Sequence, residues 1–163
     1  MSELPEQDSP QVIPTTGRVA GVDYGTVRIG VAITDPGRIL ASPFENYNRR
    51  TPVKDASYFQ QLAEQERVAL FVVGLPVHMS GDDSEKSLEA RAFGVWLNQQ
   101  TDVPVIFYDE RFTSSMAKQM LQDANVSKKK RKKRLDMMAA QILLTSYLEN
   151  PSRAVESSEK LED

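Results

Sequence analysis

The chain has 163 residues, no cysteine, one histidine, and a net charge of −3 from 20 basic and 23 acidic side chains. That length suits one domain with its own core. Without cysteine there is no disulfide framework, thiolate zinc site or thiol nucleophile, and a Ser-His-Asp triad would have to be built on His78 alone. No stretch approaches the roughly 18 consecutive apolar residues of a membrane span, and the acidic, polar opening MSELPEQDSP is no signal peptide. The expected address is the cytoplasm.

In chain order, residues 1–17 carry Pro5, Pro10 and Pro14 and show no periodicity, so they are read as a flexible tail. The stretch VAGVDYGTVRIGVAITD predicts a strand ending at Asp23, a tight turn at Tyr24-Gly25-Thr26, and a second strand at about 28–34. Gly21 and Gly30 lie inside these strands, where glycine costs stability and marks a place of close approach to the backbone. Asp35-Pro36-Gly37 is a turn, and a third, weaker strand at 39–47 is interrupted by Pro43. Thr51-Pro52 opens a first helix running to about Arg67. Residues 68–73 form a continuous apolar run, as expected of a central strand covered on both faces.

A loop at 74–84 leads to a second helix with a capping box at Asp82 and Glu85 and a core face of Leu88, Ala92, Val95 and Trp96. Residues 105–108 give a fifth strand running into Asp109-Glu110-Arg111. Thr113 caps a third helix, and a fourth follows from about Arg131 to Glu149. Pro151 ends it, and 151–163 read as a flexible acidic tail. The domain is therefore placed at 18–150. An antiparallel three-strand meander followed by strand–helix alternation makes an α/β fold, a five-stranded mixed sheet with two parallel strands and helices on both faces. In such sheets the site lies beyond the carboxyl ends of the parallel strands, here the 74–84 loop and Asp109-Glu110.

Three carboxylates stand at informative places. Asp23 ends the first strand, and Glu110 follows the fifth. Asp136 belongs to a helix that is apolar almost all round, and shares a face with Ala140, Leu143 and Tyr147. An inward-facing acid needs a partner, an arginine such as Arg134 or Arg28 or a bound cation; Asp23 has the plainer alternative of capping its turn. Carboxylates converging at strand ends suit hard divalent cations, and an ion pair of that kind cleaves phosphodiesters without a protein nucleophile.

The basic charge is concentrated. Lys128, Lys129, Lys130, Arg131, Lys132, Lys133 and Arg134 form one unbroken run, and the remaining 13 basic against 23 acidic residues leave the rest of the chain at −10. Cations at a helix start oppose its dipole by a few tenths of a kcal/mol each. Contact with a polyanion beside the acids accounts for that cost. Arg111 and Thr113 follow Glu110 closely enough to orient a phosphate, and His78 is a possible accessory group.

Taken together, GVDYGTVRIGVAITD, VVGLPVHMSG, YDERFTS and the basic run leading into RLDMMAAQILLTSYL resemble the YqgF/RuvX family of ribonuclease H-like proteins. Its members are named as pre-16S rRNA nucleases and as Holliday junction resolvases. The resemblance spans about residues 18–150 and implies a ribonuclease H-like fold. It matches Asp23, Glu110 and Asp136 to the family's proposed catalytic acids, with Mg²⁺ or Mn²⁺ as cofactor and structured nucleic acid as partner. Arg28 matches a family arginine. Val27 stands where the family commonly has lysine, and His78 where asparagine is more usual.

The expected function is metal-dependent trimming of the 5′ side of the 16S rRNA precursor. The alternatives are a Holliday-junction resolvase, which would need a symmetric dimer, and a non-catalytic RNA-binding assembly factor. GVDYGT also resembles the phosphate loop of actin-like and sugar-kinase ATPases, but the chain has no room for their second lobe. Monomer and homodimer both stay open.

Overall fold

The computed structural model describes residues 12–78, 80, 82–112 and 128–156, with the side chains of 112 and 128–136 left out of account. The elements are β1 (Arg18–Asp23), β2 (Arg28–Thr34), β3 (Ala41–Asn48), α1 (Pro52–Gln65), β4 (Val68–Leu75), α2 (Glu85–Thr101) and β5 (Val105–Asp109). A 3₁₀ turn (Glu110–Phe112), α3 (Lys128–Glu149), a second 3₁₀ turn (Pro151–Arg153) and β6 (Ala154–Val155) are the remaining elements of the described residues. The helix expected after Thr113 lies outside the described residues. Among those described, no helix is long and apolar enough to cross a membrane.

The sheet order is β3-β2-β1-β4-β5-β6. β1 to β3 form the antiparallel meander, and β1, β4 and β5 run parallel. Among the described residues the sheet has six strands, where five were expected. β6 pairs antiparallel with the outer edge of β5 through Phe107–Val155 and Tyr108–Ala154, and two residues are too few to leave a period-two signal. Among the described residues, Ile13, Gly17, Ala154 and Val155, all within segments read as tails, thus lie against the domain. Ile13 packs on the α3 side of the core, and Arg38 Nε donates to Gly17 O at 2.7 Å.

Alternation along the strands separates two apolar layers. Ala20, Val22, Ile29, Val31, Phe71, Val73 and Phe107 face α1 and α2 with Phe59, Leu62, Phe93 and Leu97. Val19, Ala32, Leu70, Val72, Ile106 and Tyr108 face α3 with Ala140, Leu143, Leu144 and Tyr147. α3 presses close to β1: a Cβ on Gly21 would stand 2.9 Å from Leu144 Cβ and 3.0 Å from Ala140 O. The close approach inferred at Gly21 is therefore made by a helix. Tyr108 Oη donates to Ser146 O at 3.2 Å, tying α3 to β5 as well.

α1 starts as expected, with Thr51 accepting from Lys54 N at 3.2 Å and Pro52 in the first turn. α2 does not. Its cap is Ser84, which accepts from Ser87 N at 3.1 Å, in place of the expected box. Its buried face is Ser87, Ala90, Phe93, Gly94 and Leu97, while Leu88 and Val95 are 56% and 46% exposed. The reason is steric. A Cβ at Gly94 would sit 2.4 Å from the Phe107 ring, so the helix seats Gly94 against the sheet, with Phe93 and Leu97 beside it in the core and Leu88 and Val95 outward.

Candidate functional site

β1 ends at Asp23 because the apolar run Val19, Ala20, Val22 stops there and the chain reverses through Tyr24 and Gly25. Strand parity puts Asp23 on the same face as Val19 and Gly21, the face covered by α3. Its cross-strand partner on β2 is Gly30. On the other side β1 and β4 pair through Val22–Val73, and one step further along β4 is Gly74. The half-buried Asp23 therefore stands between two strands that both carry glycine beside it.

Glu110 reaches the same place from β5. Asp109 is fully buried and, by alternation from Phe107, belongs to the α1/α2 side; Glu110, one residue on, belongs to the α3 side. Its carboxylate lies directly over Gly74, where a Cβ would stand 2.5 Å from Oε1 and 3.2 Å from Cγ. Gly74 lies on the strand next to Asp23, so the Glu110 carboxylate and Asp23 belong to neighbouring strand ends on one face of the sheet. Gly74 thus acts as a cradle that any side chain would fill.

Asp136 is on α3, one turn before Ala140, whose carbonyl lies over Gly21. Its side chain is outside the described residues, and so are those of Lys128, Lys129, Lys130, Arg131, Lys132, Lys133 and Arg134. The helical face expected for Asp136 is the buried one, with Ala140, Leu143 and Tyr147 all in the core. Among the described residues no group of three potential ligands forms; Asp23 and Glu110 stand at neighbouring strand ends.

Arg28 starts β2 opposite Asn48 and, two residues before Gly30, lies on the acids' face. Val27 is exposed in the turn beside it. His78 is exposed in the loop after β4, its backbone N–H donating to Asp82 O at 3.0 Å. Thr113 lies outside the described residues. Arg111 has an unexpected setting: Nη2 and Nε donate to Asp109 Oδ2 at 2.6 and 2.8 Å, and its backbone N–H donates to Oδ1 at 2.9 Å. Reading Arg111 from the sequence as a phosphate contact overlooked this partner two residues away.

A second buried carboxylate stands behind the Asp23 turn. Asp55, in the first turn of α1, accepts from Tyr47 Oη at 2.6 Å, Arg50 N at 2.8 Å and Arg49 Nε at 3.4 Å. Burial alone would raise its pKa, but these bonds together hold it below the usual carboxylate range. Burial, and then the bond to Asp55, push Tyr47 up to about 12. Arg49 Nη1 continues to Tyr24 Oη at 3.1 Å and Gly25 O at 3.5 Å, and the guanidinium lies 5.3 Å from the Tyr24 ring centre.

Residues 17–150 match the family model described as "RuvX: Holliday junction resolvase". The chain belongs to the RuvX family. A Rhodopirellula baltica relative named "Putative pre-16S rRNA nuclease" is 54% identical over 136 residues, covering 83% of this chain and 79% of that one. A Koribacter versatilis relative of the same name is 37% identical over 145 residues, with 89% and 94% covered. T. thermophilus RuvC in complex with Holliday junction substrate superposes with a TM-score of 0.50 at 14% identity, over 85% of this chain and 98% of that one. The fowlpox virus resolvase in complex with Holliday junction DNA gives 0.51 at 12%, over 82% and 98%. At those identities the likeness is one of fold, the ribonuclease H-like fold expected from the motifs.

Proposed function

We propose that this RuvX-family chain is a metal-dependent nuclease that trims the 5′ side of the 16S rRNA precursor. The observation that carries the proposal is the placement of Glu110 over Gly74, beside Asp23, on the sheet face covered by the helix bearing Asp136. The names of the curated relatives support the substrate.

The residues present fit divalent cations. Their donors are carboxylate oxygens, the set preferred by Mg²⁺ and Mn²⁺, and the glycine cradle keeps Cβ atoms out of the space those oxygens need. Asp23, Glu110 and Asp136 would hold the ions, which supply charge neutralisation at the phosphate and a more acidic water. The chain does the rest by placement. Arg28, on the same face, meets a phosphate adjoining the scissile one, and Lys128 to Arg134 grip the backbone further along. Beneath Asp23 the sheet is covered by α3, with Leu144 and Ala140 against Gly21, which leaves the strand ends as the side from which substrate approaches in this reading.

Incubating the purified protein with precursor rRNA in Mg²⁺ and in Mn²⁺ tests this. The wild type should cut near the mature 5′ end, and Asp23→Asn should abolish cutting with its fold intact. Equal cutting by both proteins would refute the site. The family model's description favours resolvase activity as the second reading. Paired cuts in a synthetic four-way junction by a stable dimer would select it, and tight RNA binding without turnover would leave an assembly factor.

A further inference from the structure

Each of the two described acids stands on a turn tied by an arginine to a buried aspartate. At Glu110, the Asp109 carboxylate receives both the guanidinium and the backbone N–H of Arg111, closing the chain on either side of Glu110 into one ring. At Asp23, Asp55 holds the Arg49 guanidinium, which spans to Tyr24 Oη and Gly25 O directly after Asp23. The Arg49 backbone N–H donates to Val27 O at 2.9 Å, fastening the far side of the same turn. Both anchoring carboxylates are buried.

We infer that Arg111 and Arg49 are positioning residues that fix the carboxylates of Glu110 and Asp23 for divalent-cation binding. The inference rests on the proposed reading of those two acids. The Arg111 side chain is nearly as buried as its partner, and turning the guanidinium toward a phosphate would strand a buried, charged Asp109. A forked donor is required, because one carboxylate oxygen takes two N–H groups at once. Lysine carries the charge without the fork.

Two variants read the same link from opposite ends. Arg111→Lys keeps the charge and loses the fork. Asp109→Asn keeps the arginine and weakens its anchor. Each should bind Mn²⁺ about 10–100-fold more weakly by titration calorimetry, the usual effect of removing a group that orients a metal ligand. The Mg²⁺ concentration giving half-maximal cleavage should rise in step, while affinity for nucleic acid without added metal stays at the wild-type value. Arg49→Lys should weaken Mn²⁺ binding in the same way.

Wild-type Mn²⁺ affinity in both Arg111→Lys and Asp109→Asn would overturn the inference and leave the proposed function standing. Loss of nucleic-acid affinity in Arg111→Lys alone, with Mn²⁺ binding intact, would also overturn it, as the mark of a phosphate contact. A wild-type protein that binds no Mn²⁺ would overturn both readings together.

Discussion

Gly74→Ala adds one methyl group to the floor of the site, and the three atoms nearest to it all belong to the Glu110 side chain. The new Cβ would lie 2.5 Å from Glu110 Oε1, against the 3.4 Å at which ordinary contact begins. The carboxylate must therefore retreat by about 0.9 Å. Because Cγ and Cδ stand at 3.2 and 3.3 Å, the whole side chain has to turn, and pivoting the terminal oxygens alone gives no relief. The clash is with a side chain, so the backbone of β4 has no cause to move. Alanine in a strand recovers roughly 0.5–1 kcal/mol lost to glycine's flexibility, which offsets the cost of moving Glu110. Stability should thus change little, with Tm within a few degrees of wild type. Catalysis should not be spared, since a displacement near 1 Å costs on the order of a hundredfold in rate. Single-turnover cleavage of precursor rRNA in saturating Mg²⁺, alongside thermal melting, tests both halves. A rate within about threefold of wild type with an unchanged Tm would sink the expectation, because the carboxylate's position over Gly74 would then not matter to the chemistry.

Tyr47→Phe removes one bond to buried Asp55 and should cost about 1.5–3 kcal/mol, the range for a hydrogen bond to a charged group. Asp55 has a lowered pKa when folded, so its stabilisation is present above the unfolded value of 3.8 and is lost as pH falls through the folded one. Losing the tyrosine raises the folded pKa, so acid unfolding followed by circular dichroism should begin at a higher pH than in wild type. Gly25→Ala would set a Cβ 2.3 Å from Arg28 O, a backbone atom that cannot step aside. The turn must open, with a stability loss of about 1–3 kcal/mol and a fall in cleavage as Asp23 shifts, read by denaturant titration and rate assay. Replacing Lys128, Lys130, Lys132 and Arg134 by glutamine should flatten the salt dependence of RNA binding by roughly 0.7–0.9 in log–log slope for each phosphate no longer neutralised, and an unchanged slope in filter binding would exclude the run as the grip.

The strands that build the site were legible because each is an apolar run with a polar stop or a glycine near its end: Val19 to Asp23, Val68 to Leu75, Val105 to Asp109. The face of α2 was not, because its packing depends on Ala90 and Gly94, which carry almost no hydrophobic signal. β3 was placed within two residues, although Pro43 blurs it. Proline is tolerated there because β3 is an edge strand, with a register shift opposite Val31 and Ala32. Asp23 and Glu110 could be picked out by position at strand ends. Asp55 could not, since nothing local distinguishes a carboxylate that anchors an arginine inside the protein from one that faces solvent, and Asp109, which ends β5, is told from Glu110 only by the face its side chain takes. The partners that satisfy Asp55 come from β3 and the loop after it, and only the tertiary fold brings Tyr47 and Arg49 to α1.

Alternation at the end of β5 explains why two adjacent acids have such different surroundings. A strand sends consecutive side chains to opposite faces, so Asp109 enters the layer beneath α1 and α2, while Glu110, the first residue past the strand, lies over Gly74 on the opposite face. In the first layer a lone carboxylate is costly to bury, and Arg111 meets that cost from two residues away. In the second, β4 offers glycine, and the Glu110 carboxylate settles over it. The same parity applied to β1 puts Asp23 under α3 beside Gly30. Inserting one residue into either strand end would exchange the faces, sending the acid into an aromatic-rich core. Register at these two strand ends, more than the identity of any core residue, therefore decides whether the acids share a face.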